Sequence, residues 1–172
     1  MAEITDVSKK HLAYGDLENE LAITRRLLER VPEDKFDWKP HEKSFSLGTL
    51  AFHIANLLFW QKMSLTESDF DLASSPPPEK GGNLPGKEDL LAIFDKNVDE
   101  VRAVLASTDE DVLAEPWTLR HGENALFTSP KADVLRRFGI SHMIHHRGQL
   151  SLYLRLLDVP VPNIYGPTAD ER

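Results

Sequence analysis

The chain of 172 residues has no cysteine, and this absence removes several chemistries at once. Disulfides, iron–sulfur clusters and thiolate metal ligands are excluded, together with cysteine-based zinc-finger and rubredoxin-like sites. A reducing, cytoplasmic location fits this composition and is our expectation. Residues 1–10 contain no apolar segment of the kind found in signal peptides, so we also expect no secretory leader.

The chain is also poor in basic residues relative to acidic ones. Lysine and arginine total 20 against 28 aspartates and glutamates, which gives a formal net charge of −8. Binding to nucleic acids and to anionic membrane surfaces both depend on cationic side chains. The longest apolar stretch, residues 47–58, is interrupted by His53 and Asn56 and is too short to span a bilayer. We therefore expect neither nucleic-acid binding nor a membrane association.

What the chain has in abundance is hydrophobic periodicity of the helical kind. Apolar residues recur at spacings of three and four along residues 14–31, 46–64, 91–105 and 131–157. Ser46 is a suitable N-cap for the second of these helices. Pro32 ends the first segment, and the fourth begins after a start signal at residues 128–130.

The segments between these helices are less regular. Residues 74–86 are rich in proline and glycine, and such a long connection would let the third helix start at the opposite end of a bundle. Residues 117–119 are expected to be extended, and Gly122 and Asn124 indicate a turn. With 41% hydrophobic residues and no strong series of strands, we predict one all-α domain over residues 1–172, a four-helix bundle.

The most informative residues are three histidines in the predicted helices. His142 and His146 are four residues apart, so their imidazoles project from one face about 40° apart and one turn apart. His53 shares an inward stripe of its own helix with Leu50 and Leu57. Buried imidazoles need partners for both nitrogens, and these stripes carry no carboxylate. We therefore predict a divalent metal site made by His53, His142 and His146.

One alternative stays open at the last helix. His145 lies three residues after His142 and is also its neighbour on the helix surface, so it competes with His146 for the ligand position. We prefer His146 because it is in line with Phe138, Gln149 and Tyr153. The predicted inner stripe of this helix consists of Leu135, Phe138, His142, His146, Gln149, Tyr153 and Leu156. A structural bundle in which hydrogen bonds satisfy the histidines, without any metal, is the simplest competing interpretation.

A three-histidine site leaves coordination positions for water or a substrate, which is typical of catalytic rather than structural metal sites. The metal would lower the pKa of a bound water or thiol and so make it nucleophilic near neutral pH. The His-Glu-x-x-His pattern of zinc proteases and the Glu-x-x-His pattern of di-iron bundles are both absent. A metal-dependent transferase, a metal-dependent hydrolase and a non-catalytic metal-binding or stress-related bundle all remain possible, and no catalytic residue is assigned.

Four further residues are candidates for the pocket around the metal. Trp60 is expected to wall it, with core packing as the competing role, and Gln149 lies on the stripe of His146. Asn56 and Tyr153 are expected to orient ligands or water. Arg147, between His146 and Gln149 in the sequence, is expected to be solvated or to form a salt bridge.

Several motifs in this chain resemble those of the DinB-like (DinB/YfiT) superfamily. They are His-His-Arg-Gly-Gln-Leu at 145–150 with His142 upstream, Ser-Leu-Gly-Thr-Leu-Ala-Phe-His at 46–53, Asp-Trp-Lys-Pro at 37–40 and Tyr-Gly-Pro-Thr-Ala-Asp at 165–170. They occur in the same order over nearly the whole chain. The resemblance implies a four-helix bundle with an up-down-down-up path, in which a long crossover joins the parallel second and third helices.

The same resemblance implies one divalent metal ion, often nickel or zinc, bound by three histidines that match His53, His142 and His146. Many members of the superfamily are homodimers. Some are metal-dependent transferases that act on low-molecular-weight thiols such as bacillithiol, mycothiol or glutathione, including thiol-dependent isomerases, while many others have no known activity.

Overall fold

The computed structural model describes residues 9–74 and 84–171. The described helices and strands, in chain order, are α1 (Lys9–Tyr14), α2 (Leu17–Leu28), α3 (Leu47–Thr66), β1 (Asp69–Asp71), α4 (Lys87–Ser107), β2 (Pro116–His121), β3 (Asn124–Pro130), α5 (Lys131–Val134) and α6 (His142–Leu156). A π-helical segment, Leu135–Ser141, joins α5 to α6, and three short 3₁₀ turns complete the regular structure of these ranges.

The hydrophobic core lies between the four longer helices. Helix α3 packs against both α4 and α6, and α2 packs against the same two helices from the other side. Leu50, Ile54 and Leu58 of α3 are fully buried, which agrees with the broad apolar face of this segment. Ser46 caps α3 as expected, because its hydroxyl accepts a hydrogen bond from the backbone N–H of Thr49.

The first predicted helix is divided and shorter than the periodicity indicates. It is interrupted at Gly15 and Asp16, which separate α1 from α2, and α2 ends at Leu28 rather than at Pro32. Glycine has a low helix propensity, and a proline disfavours helical geometry in the residue before it. Val31 is nevertheless fully buried, so its apolar character reflects core packing outside the helix.

The fold is mostly helical rather than all-α, because residues 69–71, 116–121 and 124–130 form a three-stranded sheet. Its order is β1-β2-β3, with β1 parallel to β2 and β2 antiparallel to β3. The turn expected at Gly122 joins β2 to β3, and Gly122 has a φ of +59°, which glycine adopts readily. Residues 117–119, which the sequence predicts to be extended, belong to strand β2 of this hairpin. The hairpin itself was not predicted, because the sequence shows no strong series of strands.

The last helix differs from the prediction at its start and in its middle. Strand β3 continues to Pro130, so neither Thr128 nor Ser129 caps the helix. The π-helical turn then shifts the residues before His142 relative to those after it, because it widens one turn of the helix. Phe138 of the predicted inner stripe lies in this segment and is 42% exposed. Leu156 of the same stripe lies in the last turn of α6 and is 55% exposed.

An ion pair inside the core fixes α6 against α2 and the C-terminal segment. Arg147 and Glu20 are joined at 2.6 Å, and their side chains are only 1% and 4% exposed. The Tyr165 hydroxyl donates to Glu20 and accepts from Arg147, so the C-terminal segment packs on the helices. Arg147 therefore forms the expected salt bridge but is buried rather than solvated.

The crossover expected at residues 74–86 lies mostly outside the described residues, which resume at Leu84 without regular structure before α4. The up-down-down-up path consequently stays a prediction. Within the described ranges, no helix is both long enough and apolar enough to cross a membrane.

Candidate metal centre and adjoining cavity

The structure brings together the three histidines that the sequence singles out. One ring nitrogen from each of His53, His142 and His146 lies within 4.8 Å of the others. Helix α3 presents His53 between the buried residues Leu50 and Leu57, and α6 presents the other two in its first two turns. The ring centroids of His53 lie 5.3 Å from His142 and 4.6 Å from His146, so the three imidazoles converge on one point between the helices.

The surroundings of this cluster keep the imidazoles neutral. Burial lowers the pKa of His53 to about 4, and the neighbouring His146 and His142 add to the effect because a second positive charge would be repelled. Burial also lowers the pKa values of His142 and His146. Near pH 7 each ring therefore has a nitrogen lone pair available for a metal ion.

The hydrogen bonds in the cluster leave two of these lone pairs facing each other. His146 Nδ1 lies 2.8 Å from the Gln149 Oε1 acceptor and so carries the proton, which leaves its Nε2 unprotonated. The backbone of Phe138 holds His142 through a hydrogen bond that raises its pKa, so His142 is the donor there as well. The two Nε2 atoms are 2.9 Å apart.

In the tautomers that these two hydrogen bonds favour, neither Nε2 carries a proton, so the two nitrogens cannot donate to each other. A cation between them and His53 would satisfy all three lone pairs. The donor set therefore fits a divalent metal ion. The hydrogen bonds that Gln149 and Phe138 make to the histidines are of the type that orients metal-binding histidines in other proteins.

The other predicted pocket residues have different fates. Gln149 orients His146, and Trp60 lies against Phe70 and lines the cavity described below. Asn56 is exposed, with its amide donating to the Phe52 carbonyl, so it does not reach the histidines. The Tyr153 ring packs on Trp38, and its hydroxyl donates to a backbone oxygen at the long distance of 3.5 Å, so it lies outside this cavity.

His145 does not belong to the cluster. Its side chain is exposed, and its ring lies beside the His146 ring, with a centroid distance of 4.9 Å. Because α6 turns by about 100° per residue, the residue preceding His146 is directed away from the point where the three imidazoles meet. The geometry thus favours His146 over His145.

A cavity of about 260 Å³ adjoins the cluster, and His53 and His142 form part of its wall. Leu57 and Trp60 of α3 form one side, and the sheet supplies the opposite side. The sheet residues are Trp117, Leu119 and Phe127. Phe127 stacks on Phe138 at a centroid distance of 4.9 Å, which closes the wall next to the π-helical segment. Among the described residues that line the cavity, none is aspartate, glutamate, lysine or arginine.

Two residues of this cavity were missed by the sequence reasoning. Gln61 and Trp117 are each 2% exposed, and their side-chain nitrogens have no hydrogen-bond partner among the described residues. Gln61 had a detectable signal, since it lies eight residues after His53 on the same face of an otherwise apolar helix. Trp117 had none, because its approach to α3 depends on the sheet.

The family is shown by a direct comparison. The model of the DinB family matches residues 7–172, and the chain belongs to this family. The uncharacterized protein YrdA of Bacillus subtilis (strain 168) is 26% identical over 157 residues, which cover 90% of this chain and 86% of YrdA.

Two crystal structures of DinB-like proteins share the fold. The Bacillus subtilis protein YjoA has a TM-score of 0.63 at 20% identity and covers 93% of this chain and 98% of its own. A protein from Bacillus cereus ATCC 10987 has a TM-score of 0.66 at 20% identity, with 89% and 95% of the two chains covered. At this level of identity the likeness extends to the fold alone.

Proposed function

We propose that this protein is a metal-dependent transferase that activates a low-molecular-weight thiol at a site formed by His53, His142 and His146. The observation that carries the proposal is the pair of facing Nε2 atoms 2.9 Å apart, beside a third imidazole and at the wall of an apolar cavity. Nickel or zinc is the expected metal, and a small electrophilic molecule is the expected second substrate.

The roles of the protein residues follow from their contacts. The three imidazoles would hold the metal as neutral ligands, and Gln149 would keep His146 in the tautomer that leaves Nε2 free. The backbone of Phe138 would do the same for His142. When bound, the metal supplies Lewis acidity that lowers the pKa of a thiol, so that the thiolate predominates near neutral pH.

The walls of the cavity favour transfer over hydrolysis. Aromatic and aliphatic side chains from α3, the sheet and the π-helical segment would bind an apolar electrophile next to the thiol and exclude water from it. In a hydrolase the attacking water would need polar neighbours to orient it, and the described lining offers few. A metal-dependent hydrolase is therefore the second outcome to be tested, and a non-catalytic metal-binding bundle is the third.

The first experiment measures the metal content of protein purified without chelators. We expect about one equivalent of a divalent metal per chain. The triple variant His53→Ala/His142→Ala/His146→Ala should retain none. His145→Ala is the matched control, because it removes an imidazole from the adjacent exposed position and should leave the metal content unchanged. A folded wild-type protein that binds no divalent metal would refute the proposal.

The second experiment distinguishes the thiol from water as the nucleophile. The protein is loaded with Co²⁺, and its visible spectrum is recorded during titration with glutathione and with the alcohol analogue in which serine replaces cysteine. We expect a sulfur-to-cobalt charge-transfer band with glutathione alone. Unchanged spectra with both peptides, together with hydrolysis of an activated ester, would favour the hydrolase.

A further inference from the structure

The wall of the cavity beside the histidines is apolar even where its residues are polar by type. Gln61 and Trp117 line the cavity, but their side-chain nitrogens are almost completely inaccessible, so these residues contribute carbon surface to it. Ser64 is buried, and its hydroxyl donates to the Gln61 carbonyl at 2.9 Å. Away from the histidines, a polar group that entered the cavity would therefore lose its hydration without a compensating hydrogen bond.

The volume of the cavity indicates the size of the group that it can hold. A dry apolar cavity of about 150 Å³ binds one benzene molecule. The cavity in this protein has about 260 Å³, and four of its lining side chains are aromatic, namely Trp60, Trp117, Phe127 and Phe138. Because aromatic rings pack favourably on one another in edge-to-face and offset arrangements, this lining favours an aromatic guest larger than a single ring.

Two apolar residues mark the place where the cavity opens to solvent. Leu72 and Phe138 both line the cavity and are exposed, whereas Leu57 and Trp117 are almost fully buried. The Phe138 ring stacks on Phe127 with an angle of 10° between the two planes. Exposed apolar side chains beside a concave site are typical of ligand-binding surfaces. The entrance is thus bordered by hydrocarbon, as the interior is.

We propose that this cavity binds an uncharged aromatic hydrocarbon group of about two fused rings, which belongs to the second substrate and enters past Leu72 and Phe138. The inference rests on the proposed function, because it assigns the class of the second substrate at that site. The electrophilic atom and any polar part of this substrate would lie at the end formed by His53 and His142, where the imidazoles interrupt the apolar wall.

The three tryptophans of the chain report where a probe binds. Trp60 and Trp117 line the cavity, whereas Trp38 packs on Tyr153 outside it. The indole N–H resonances of the zinc-loaded full chain, assigned with single tryptophan-to-phenylalanine variants, are followed by NMR during titration with naphthalene and with benzene. Naphthalene should shift the resonances of Trp60 and Trp117 and leave that of Trp38 in place. It should bind about tenfold more tightly than benzene, because it buries more apolar surface.

A charged probe and a filled cavity provide two further comparisons. 2-(Aminomethyl)naphthalene has nearly the shape of 2-ethylnaphthalene but is cationic at pH 7, and it should bind at least about tenfold more weakly. Leu119→Trp enlarges a lining residue and should weaken naphthalene binding by at least about tenfold without changing the metal content. Leu126→Trp is the matched control, because Leu126 is exposed on the same hairpin and does not line the cavity.

The outcomes separate this inference from the proposed function. Equal affinities for naphthalene and benzene, equal affinities for the cationic and the neutral probe, or shifts confined to Trp38 would overturn the inference. A folded Leu119→Trp protein that binds naphthalene as the wild type does would also overturn it, and if this variant does not fold, the wild-type comparisons decide. The expected pattern in a chain that binds no metal would support the hydrocarbon site and refute the metal-dependent transferase.

Discussion

Replacing Glu20 with glutamine should destabilise this protein strongly, because Glu20 belongs to an ion pair that is buried in the core. Glu20 accepts from Arg147 at 2.6 Å and from the Tyr165 hydroxyl at 2.8 Å. Arg147 in turn donates to the Glu20 carbonyl and to Thr24. Its guanidinium also lies over the Tyr165 ring, 5.1 Å from the centroid. The substitution keeps the shape of the side chain and removes only its charge.

The magnitude follows from the burial of both partners. Their side chains are 1% and 4% exposed, so Glu20→Gln leaves a guanidinium in the core with no counter-charge. Breaking a buried pair in this way costs about 3–5 kcal/mol of unfolding free energy. For a domain of this size each kcal/mol lowers Tm by about 2–4 °C, so we expect a decrease of about 6–20 °C. Replacing both partners, in Glu20→Met/Arg147→Met, should cost less than Glu20→Met or Arg147→Met alone, because no charge is left unpaired.

Equilibrium unfolding in urea, followed by circular dichroism, measures these differences. Glu18→Gln is the matched control: Glu18 is on the same helix and pairs with Arg102, but the two side chains are 66% and 48% exposed. Its loss should cost at most about 1 kcal/mol. If Glu20→Gln costs no more than Glu18→Gln, or if the double methionine variant loses the sum of the two single effects, our account of the buried pair is wrong.

Two further predictions concern the cavity and the histidines. Gly139→Ala should displace the Gln61 side chain and cost about 1–3 kcal/mol of unfolding free energy, whereas Gly148→Ala, whose Cβ would meet open space in the middle of α6, should leave the stability unchanged or raise it by up to about 1 kcal/mol. A Gly139→Ala protein that is as stable as the wild type in urea unfolding would contradict the close packing. The pKa of His53 lies at about 4 in the folded chain and near its ordinary value of 6.5 when unfolded, so the unfolded chain binds the proton first as the pH falls. The unfolding free energy of the metal-free protein should therefore decrease from about pH 6.5 towards pH 4, and less so in His53→Gln; identical pH profiles in urea titrations would argue against the lowered pKa.

The sequence was sufficient for the features that depend on local periodicity. The pairing of His142 with His146 follows from their spacing on one helix, and the inward position of His53 follows from Leu50 and Leu57 on either side of it. The cap at Ser46 and the turn at Gly122 have side-chain or backbone requirements that only a few residue types meet. Neighbouring residues in the sequence determine these features, so the sequence of this chain alone is enough to predict them.

The remaining features depend on contacts between distant segments. Strand β1 has only three residues and pairs with β2 some fifty residues later, so its own sequence carries little strand signal. The π-helical turn at 135–141 has no recognisable pattern, yet it exposes Phe138 and moves it against Phe127. The partner of Arg147 is likewise distant, because Glu20 lies on the first long helix and Tyr165 in the C-terminal segment.

The position of Arg147 next to His146 connects the stability of the core with the metal site. Adjacent helical residues project about 100° apart, so the ion pair with Glu20 fixes the rotation of α6 from one side while His142 and His146 face α3 on another. Glu20→Gln should therefore weaken metal binding as well as lower Tm, and Glu18→Gln should do neither. By contrast, Gln149→Met should weaken metal binding by about 10- to 100-fold while leaving the Tm of the metal-free protein nearly unchanged, since Gln149 acts on the orientation of one ligand. Competition titrations with a chelator measure both affinities, and a Glu20→Gln protein that binds metal as tightly as the wild type would mean that the histidines hold their positions independently of the ion pair.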